Sequence, residues 1–153
     1  MADRVTMDSF TEFVQLVEPR LKRALVAAFG REVGLDAAAD ALSHGWEHWE
    51  KVREMDNPAG YLFGVGRNKA RSQRRSRPAF PEVPAQHEPW IEPGLPGAMA
   101  RLSESQRTAV LLIHGYEWTL AEVAELLGVS VPTAQKHAER GMAKLRRKIG
   151  SAR

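Results

Sequence analysis

Six prolines, Pro78, Pro81, Pro84, Pro89, Pro93 and Pro96, fall within one stretch of twenty residues and divide the chain. Proline has no amide hydrogen to donate and pushes its predecessor out of the helical region, so residues 78–97 do not read as regular structure. A loop of this length is unusual inside a compact domain, which makes the stretch a flexible linker. Extended, it spans roughly 66 Å at about 3.3 Å per residue. That is close to two turns of B-DNA at about 34 Å each, so units on either side of it can reach separated sites on one duplex. The expectation is an all-α chain of two small helical domains, 1–77 and 98–153. A chain of 153 residues that is 43% hydrophobic suits two small cores better than one large one.

The charge is +3 in total, but it is unevenly placed. Residues 1–77 hold 13 basic and 11 acidic side chains, 78–97 hold three acids and no base, and 98–153 hold nine bases and five acids. Arg67, Lys69, Arg71, Arg74, Arg75 and Arg77 form one acid-free cluster; Lys136, Arg140, Lys144, Arg146, Arg147 and Lys148 form another. Clustering of this kind is the footprint of a nucleic-acid binder. The chain has no cysteine, which excludes a disulfide framework, a thiol nucleophile and cysteine-ligated zinc. Met1 to Phe13 carries four charges and no apolar core like that of a signal peptide, and no stretch reaches the roughly 20 apolar residues that cross a bilayer. The expected location is the cytoplasm, with no membrane partner.

The first unit reads as helical throughout. Phe10, Phe13, Val14, Val17, Leu21, Leu25 and Phe29 follow the spacing of a helix with one buried face. Ser9 and Glu12 have capping-box spacing at its start, Pro19 is expected to kink or divide it, and Gly30 ends it. A second helix is expected from Asp36 to Glu54, burying Ala39, Leu42, Trp46 and Trp49. Asn57 then caps a third, with Pro58 in its first position.

The second unit carries the strongest local signal. Ser103 and Gln106 have capping-box spacing ahead of an apolar run to Ile113. Thr119 caps a helix that buries Leu120, Val123, Ala124 and Leu127. Gly128-Val129-Ser130 forms a tight turn into a helix reaching Ile149, with Ser130 as its cap and Pro132 in its first turn. Two short helices around a glycine turn, the second followed by cations, read as a helix-turn-helix. The N-terminal turns of such a second helix enter the major groove. The candidate contacts are Ser130, Pro132, Thr133, Gln135, Lys136, His137, Arg140 and Lys144, since Gln can pair with adenine, Arg with guanine, and Lys with phosphate. A non-binding hairpin with a solvated basic face is the alternative. The Arg67–Arg77 cluster is less specific, because charge runs beside linkers are often only solvated.

Chemistry of other kinds has little support. His44 and His48 have a metal-compatible spacing, but no third ligand is evident, and a plain helix surface is the simpler reading. Glu47, Glu50 and Glu54 with Lys51 read as a solvated face. No catalytic triad or phosphate-cradling loop occurs, so no enzyme, metal or cofactor is expected.

Together these residues resemble the sigma factors of the extracytoplasmic-function group, which keep two regions, two and four. Asn57-Pro58-Ala59-Gly60-Tyr61-Leu62-Phe63-Gly64-Val65-Gly66-Arg67-Asn68 looks like the helix facing the −10 element. Leu102 to Leu112 looks like the start of region four, and Leu120 to Arg147 like its helix-turn-helix. The resemblance implies a factor that binds core RNA polymerase through the β′ coiled coil and the β flap and melts promoter DNA at −10. It assigns polymerase binding to Asp40, Ser43, His44, Glu47, Trp49 and Glu50. It assigns −10 binding to Asp56, Asn57, Tyr61, Arg67, Asn68, Lys69, Arg71, Arg74 and Arg75, with the loop 54–57 capturing an unstacked base. It also admits an anti-sigma factor as a partner. Ser43-His44, Ser72, Pro132 and Ala134 depart from the residues frequent in that family. A stand-alone operator-binding regulator and a protein–protein adaptor on the same fold remain open alternatives.

Overall fold

In the computed structural model, backbone is described for residues 2–75 and 94–151. Most of the expected linker, with Pro78 to Pro93, lies outside the described residues, as do the side chains of Arg74 and Arg75. The fold is all-α. The helices are α1 (Ala2–Phe29), α2 (Arg31–Glu47), α3 (Trp49–Val52), α4 (Pro58–Arg75), α5 (Leu95–Ala100), α6 (Glu104–Val110), α7 (Leu120–Leu127) and α8 (Val131–Ser151). A five-residue π-helical turn, Leu111–Gly115, continues α6. Among the described residues, no helix is long and apolar enough to cross a membrane.

The N-terminal module departs from its sequence pattern in instructive ways. α1 starts at Ala2, so Ser9 lies inside it and its spacing to Glu12 does not mark a helix start. Pro19 also lies inside α1 and does not divide it. An internal proline costs about 3 kcal/mol. Burial of Leu21, Ala24, Leu25 and Ala28 just beyond it offsets that cost, at about 1.5–3 kcal/mol for each large aliphatic side chain. Gly30, at φ 88°, turns the chain directly into α2, five residues ahead of the expected start at Asp36.

α2 buries Gly34, Ala37, Ala38, Ala41 and Gly45, not the larger Ala39-Leu42-Trp46 face that periodicity favours. The reason is close approach to α1: a Cβ at Gly34 would lie 2.6 Å from the Val26 backbone. Trp46 is therefore turned outward, 45% exposed, with its ring 5.2 Å from Phe10. The expected helix to Glu54 breaks at His48 (φ −116°), and the short α3 that follows buries Trp49 and Val52.

The core is also more continuous than two separate units require. α1 packs on α2 and α4, and additionally on α6 and the π turn. Leu21, Leu25, Leu62 and Phe63 thereby join Leu112, Trp118, Val123 and Ala134 in one apolar cluster. A smaller cluster, Ala98, Leu102, Val110 and Leu145, sits between α5 and α8. Residues 95–97, expected at the end of the linker, open α5, where Pro96 occupies the first turn and its missing N–H costs nothing.

Candidate nucleic-acid interface

α7, its turn and α8 form the helix-turn-helix, and local chemistry sets each boundary. Thr119 and Glu122 cap the start of α7 reciprocally, the hydroxyl accepting from the Glu122 amide at 3.1 Å and the carboxylate accepting from the Thr119 amide at 3.0 Å. The Thr119 hydroxyl also donates to that carboxylate, at 3.0 Å, and the two Thr119 donors, with the Arg20 charge nearby, hold the Glu122 carboxyl below the usual carboxylate range. At the other end Gly128 is left-handed, at φ 69° and ψ 35°. The Val129 amide donates to Ala124 O (3.0 Å) and the Gly128 amide to Glu125 O (3.3 Å). That pair of bonds is a Schellman motif, which needs a residue without a Cβ penalty at the left-handed position. Ser130 Oγ accepts from the Thr133 amide at 3.2 Å and starts α8.

α8 buries Ala134, Ala138 and Leu145 against the rest of the module. Its other face carries Pro132, Gln135, Lys136, Arg140 and Lys144 into solvent, with Thr133 and His137 half-buried. Ser130 and Thr133 are tied to each other by a 2.8 Å hydroxyl bond, so they shape the helix start more than they extend from it. Gln135 donates to Glu139 at 3.0 Å, and Lys144 to Gln106 at 3.0 Å. Near the far end of α8, Arg101, Lys144, Arg147 and Lys148 surround an open cleft floored by Ala98 and Leu102. Arg101 was not among the residues singled out by sequence.

The candidate −10 residues are placed differently. Asn57 Oδ1 accepts from the Gly60 amide at 2.9 Å and caps α4 as expected, while its Nδ2 donates to Glu125 O of α7 at 2.7 Å. Asp56, Asn68 and Lys69 are exposed. The hydroxyl of the partly exposed Tyr61 lies 2.9 Å from His44 Nε2. Arg67 is half-buried with its guanidinium 5.7 Å from the Phe63 ring, and its Nε is buried without a partner. Arg71 makes two 3.0 Å bonds to the Glu104 carboxylate. Among the described side chains of the cluster, Arg67, Lys69 and Arg71 are thus split among packing, solvent and pairing.

Of the candidate polymerase-binding residues, Asp40, Ser43, Glu47 and Glu50 are exposed and share the outer side of α2 and α3. His44 stacks on His48 at 4.2 Å. Trp49 is the exception, at 5% exposure. Its ring lies 5.2 Å from Phe10 and 5.0 Å from Phe13, so it supports the surface from beneath and cannot itself be a contact. Among the described residues, no group of three or more His, Cys, Asp or Glu side chains is placed to hold a metal ion.

Sequence reasoning missed the seam between the modules. Arg107, 1% exposed, donates to Ala27 O (3.2 Å) and Ala28 O (3.1 Å) across the seam and to Leu102 O (3.0 Å) within its own module. Its only local signal was a cation three residues before Val110, on the apolar side of its helix. Arg20 pairs with Glu122 and lies over the Trp118 ring, and Arg23 lies over Tyr116.

Comparison with known proteins agrees with this geometry. Residues 95–145 match the family model described as Sigma-70, region 4. Among solved structures, the sigma factor RpoE from Bartonella quintana, crystallised in complex with the anti-sigma factor NepR, has a similar fold. The TM-score is 0.67 at 22% identity, over 95% of this chain and 99% of that one. No curated protein matches the sequence.

Proposed function

We propose that this chain, with a region 4 module on an otherwise sigma-like fold, acts as a sigma factor of the extracytoplasmic-function group. It binds core RNA polymerase and directs promoter-specific initiation in the cytoplasm, without catalysis or cofactor of its own. One observation carries the reading: a Schellman turn and a serine cap hold the first turns of α8 so that Gln135, Lys136 and Arg140 project into solvent, within a segment that matches Sigma-70, region 4.

The roles divide by module. The exposed side of α8 reads the −35 element, Gln135 and Arg140 through base edges and Lys136 and Lys144 through phosphates. The loop 54–57, ending at Asn57, takes a base unstacked from the −10 strand, and Tyr61 beside it offers a stacking surface. Asn68, Lys69, Arg71, Arg74 and Arg75 hold flanking phosphates. Asp40, Ser43, His44, Glu47 and Glu50 meet the β′ coiled coil, and the region 4 module meets the β flap. The relative of similar fold was crystallised with an anti-sigma factor, which supports a small anti-sigma protein as a further partner here.

The test is direct. Purified chain added to core polymerase starts transcripts at promoters that core alone ignores, and a footprint of that complex shows protection at two separated elements. A chain that neither binds core nor programs initiation is not a sigma factor. Tight binding to an operator by the free chain, with no effect of core, would instead favour a stand-alone regulator.

A further inference from the structure

The far end of α8 gathers cations around a hollow. Arg101, Lys144, Arg147 and Lys148 line an open cleft of about 620 Å³, and the buried Ala98 and Leu102 form its floor. Among the described residues that line it, none is acidic. Carboxylates of the same module are engaged elsewhere, Glu104 with Arg71, Glu122 with Arg20 and Glu139 with Gln135.

Packing holds these cations together. α5 lies against α8 through the small cluster of Ala98, Leu102, Val110 and Leu145, which brings Arg101, the residue that ends α5, to the same cleft as Arg147. Lys144 is oriented as well. Its Nζ donates to Gln106 Oε1 at 3.0 Å, and the same oxygen accepts from the Ser103 amide at 3.2 Å in the capping box of α6.

Lys144 stands three residues from Arg147 and four from Lys148, spacings at which like charges on a helix repel. Lys148 lies in the last turn of α8, where the helix end favours a cation. That effect fades beyond the last turn, so it does not account for Lys144 or Arg147. Mutual repulsion within an acid-free lining points to an anion supplied from outside.

Size and lining narrow the class of that anion. A cleft of about 620 Å³ falls within the roughly 300–1,000 Å³ of small-molecule sites. Its apolar floor offers a face to a flat organic group, and guanidinium groups on its rim suit phosphate oxygens, which they can bind two at a time. Arg147 lies eleven residues beyond Lys136, roughly 16 Å along the axis at about 1.5 Å per residue. A duplex whose major groove, about 8.5 Å deep, holds the first turns of α8 therefore leaves Arg147 outside that groove.

We propose that this cleft binds a nucleoside polyphosphate, with the phosphates on Arg101, Lys144 and Arg147 and the base against Ala98 and Leu102. Lys144, given above to a DNA phosphate, stands where the two surfaces meet. The site itself does not depend on that role.

The four nucleoside triphosphates, titrated calorimetrically into the full chain at about 0.15 M salt, give the test. At least one should bind saturably at a single site. The matching nucleoside should not bind, and tripolyphosphate should bind about tenfold more weakly or worse, having no base to lay on the floor. Arg101→Gln with Arg147→Gln should weaken the nucleotide by about tenfold or more. Both residues are exposed, so the variant should keep its thermal stability and lose far less affinity for a random DNA duplex. Absence of saturable binding by all four, or an unchanged affinity in the variant, overturns the assignment. Tripolyphosphate binding as tightly as the nucleotide would reduce the cleft to a charged surface, and equal losses for nucleotide and duplex would make it part of a DNA-backbone surface. Either result also overturns it.

Discussion

The two modules hold their helices by different means. In the N-terminal module α1 runs for 28 residues and α2 for 17, and α2 and α3 start without any side-chain cap. Their stability comes from faces of small residues, Ala24, Ala28, Gly34, Ala37, Ala38 and Ala41, that let backbones approach. In the C-terminal module α6 has seven residues and α7 eight. Helices that short are marginal alone, and each of these opens on a reciprocal capping box. The difference reaches function. Caps spend only residues at helix ends, so the face of α8 stays available. Packing draws on the candidate contacts themselves, and in the N-terminal module Trp49, Arg67 and Tyr61 are partly consumed by it.

The contrast can be broken or sharpened by four measurements. The largest effect belongs to packing. Leu62→Ala, at a fully buried position in α4, should destabilise the N-terminal module by about 2–5 kcal/mol in urea unfolding. A loss below about 1 kcal/mol would mean that the small-residue faces hold the module without it. Next comes the exposed surface of α8. Lys136→Ala with Arg140→Ala should weaken holoenzyme binding at the −35 element by about 1–3 kcal/mol without lowering thermal stability. A loss equal on all promoter sequences would turn both from base readers into phosphate contacts.

Removing a cap is smaller still. Thr119→Ala should cost the C-terminal module about 1 kcal/mol, and an unchanged urea midpoint would show that the capping boxes ornament helices held by packing after all. The smallest effect is on pH. The Glu122 carboxyl is held below its ordinary value by Thr119, chiefly, and by Arg20. It therefore contributes stability above the unfolded carboxylate value, and that contribution is lost as pH falls through its lower folded value. Glu122→Gln should flatten the acid limb of a stability profile, and an identical limb in both proteins would remove Glu122 from the account.

Legibility followed the same divide. The boundaries of α7 and α8 could be read from Thr119, Glu122, Gly128 and Ser130 because a cap is written within about four residues of itself. The exposure of Lys136 and Arg140 followed from the same local frame. In the N-terminal module, periodicity ranked Leu42 and Trp46 as the buried side of α2. A face built from glycine and alanine carries almost no hydrophobic contrast, so it is invisible until a partner helix supplies the reason for it. The burial of Trp49 was expected and is found, whereas the continuation of α1 through Pro19 depends on residues far along the chain in the same way. At the candidate site, the second bond of Asn57 and the pairing of Arg71 were beyond sequence reasoning, since Glu125 and Glu104 belong to the other module.

The π-helical turn at Leu111–Gly115 can be restated as a matter of phase. A π turn amounts to an α-helix with one residue inserted, and each residue of an α-helix advances about 100° around the axis. Deleting a single residue there would restore the α register and rotate everything beyond it by about that angle, carrying Tyr116 and Trp118 away from Arg23 and Arg20. One codon thus sets the angle between α6, which carries Arg107, and the helix-turn-helix that packs against it.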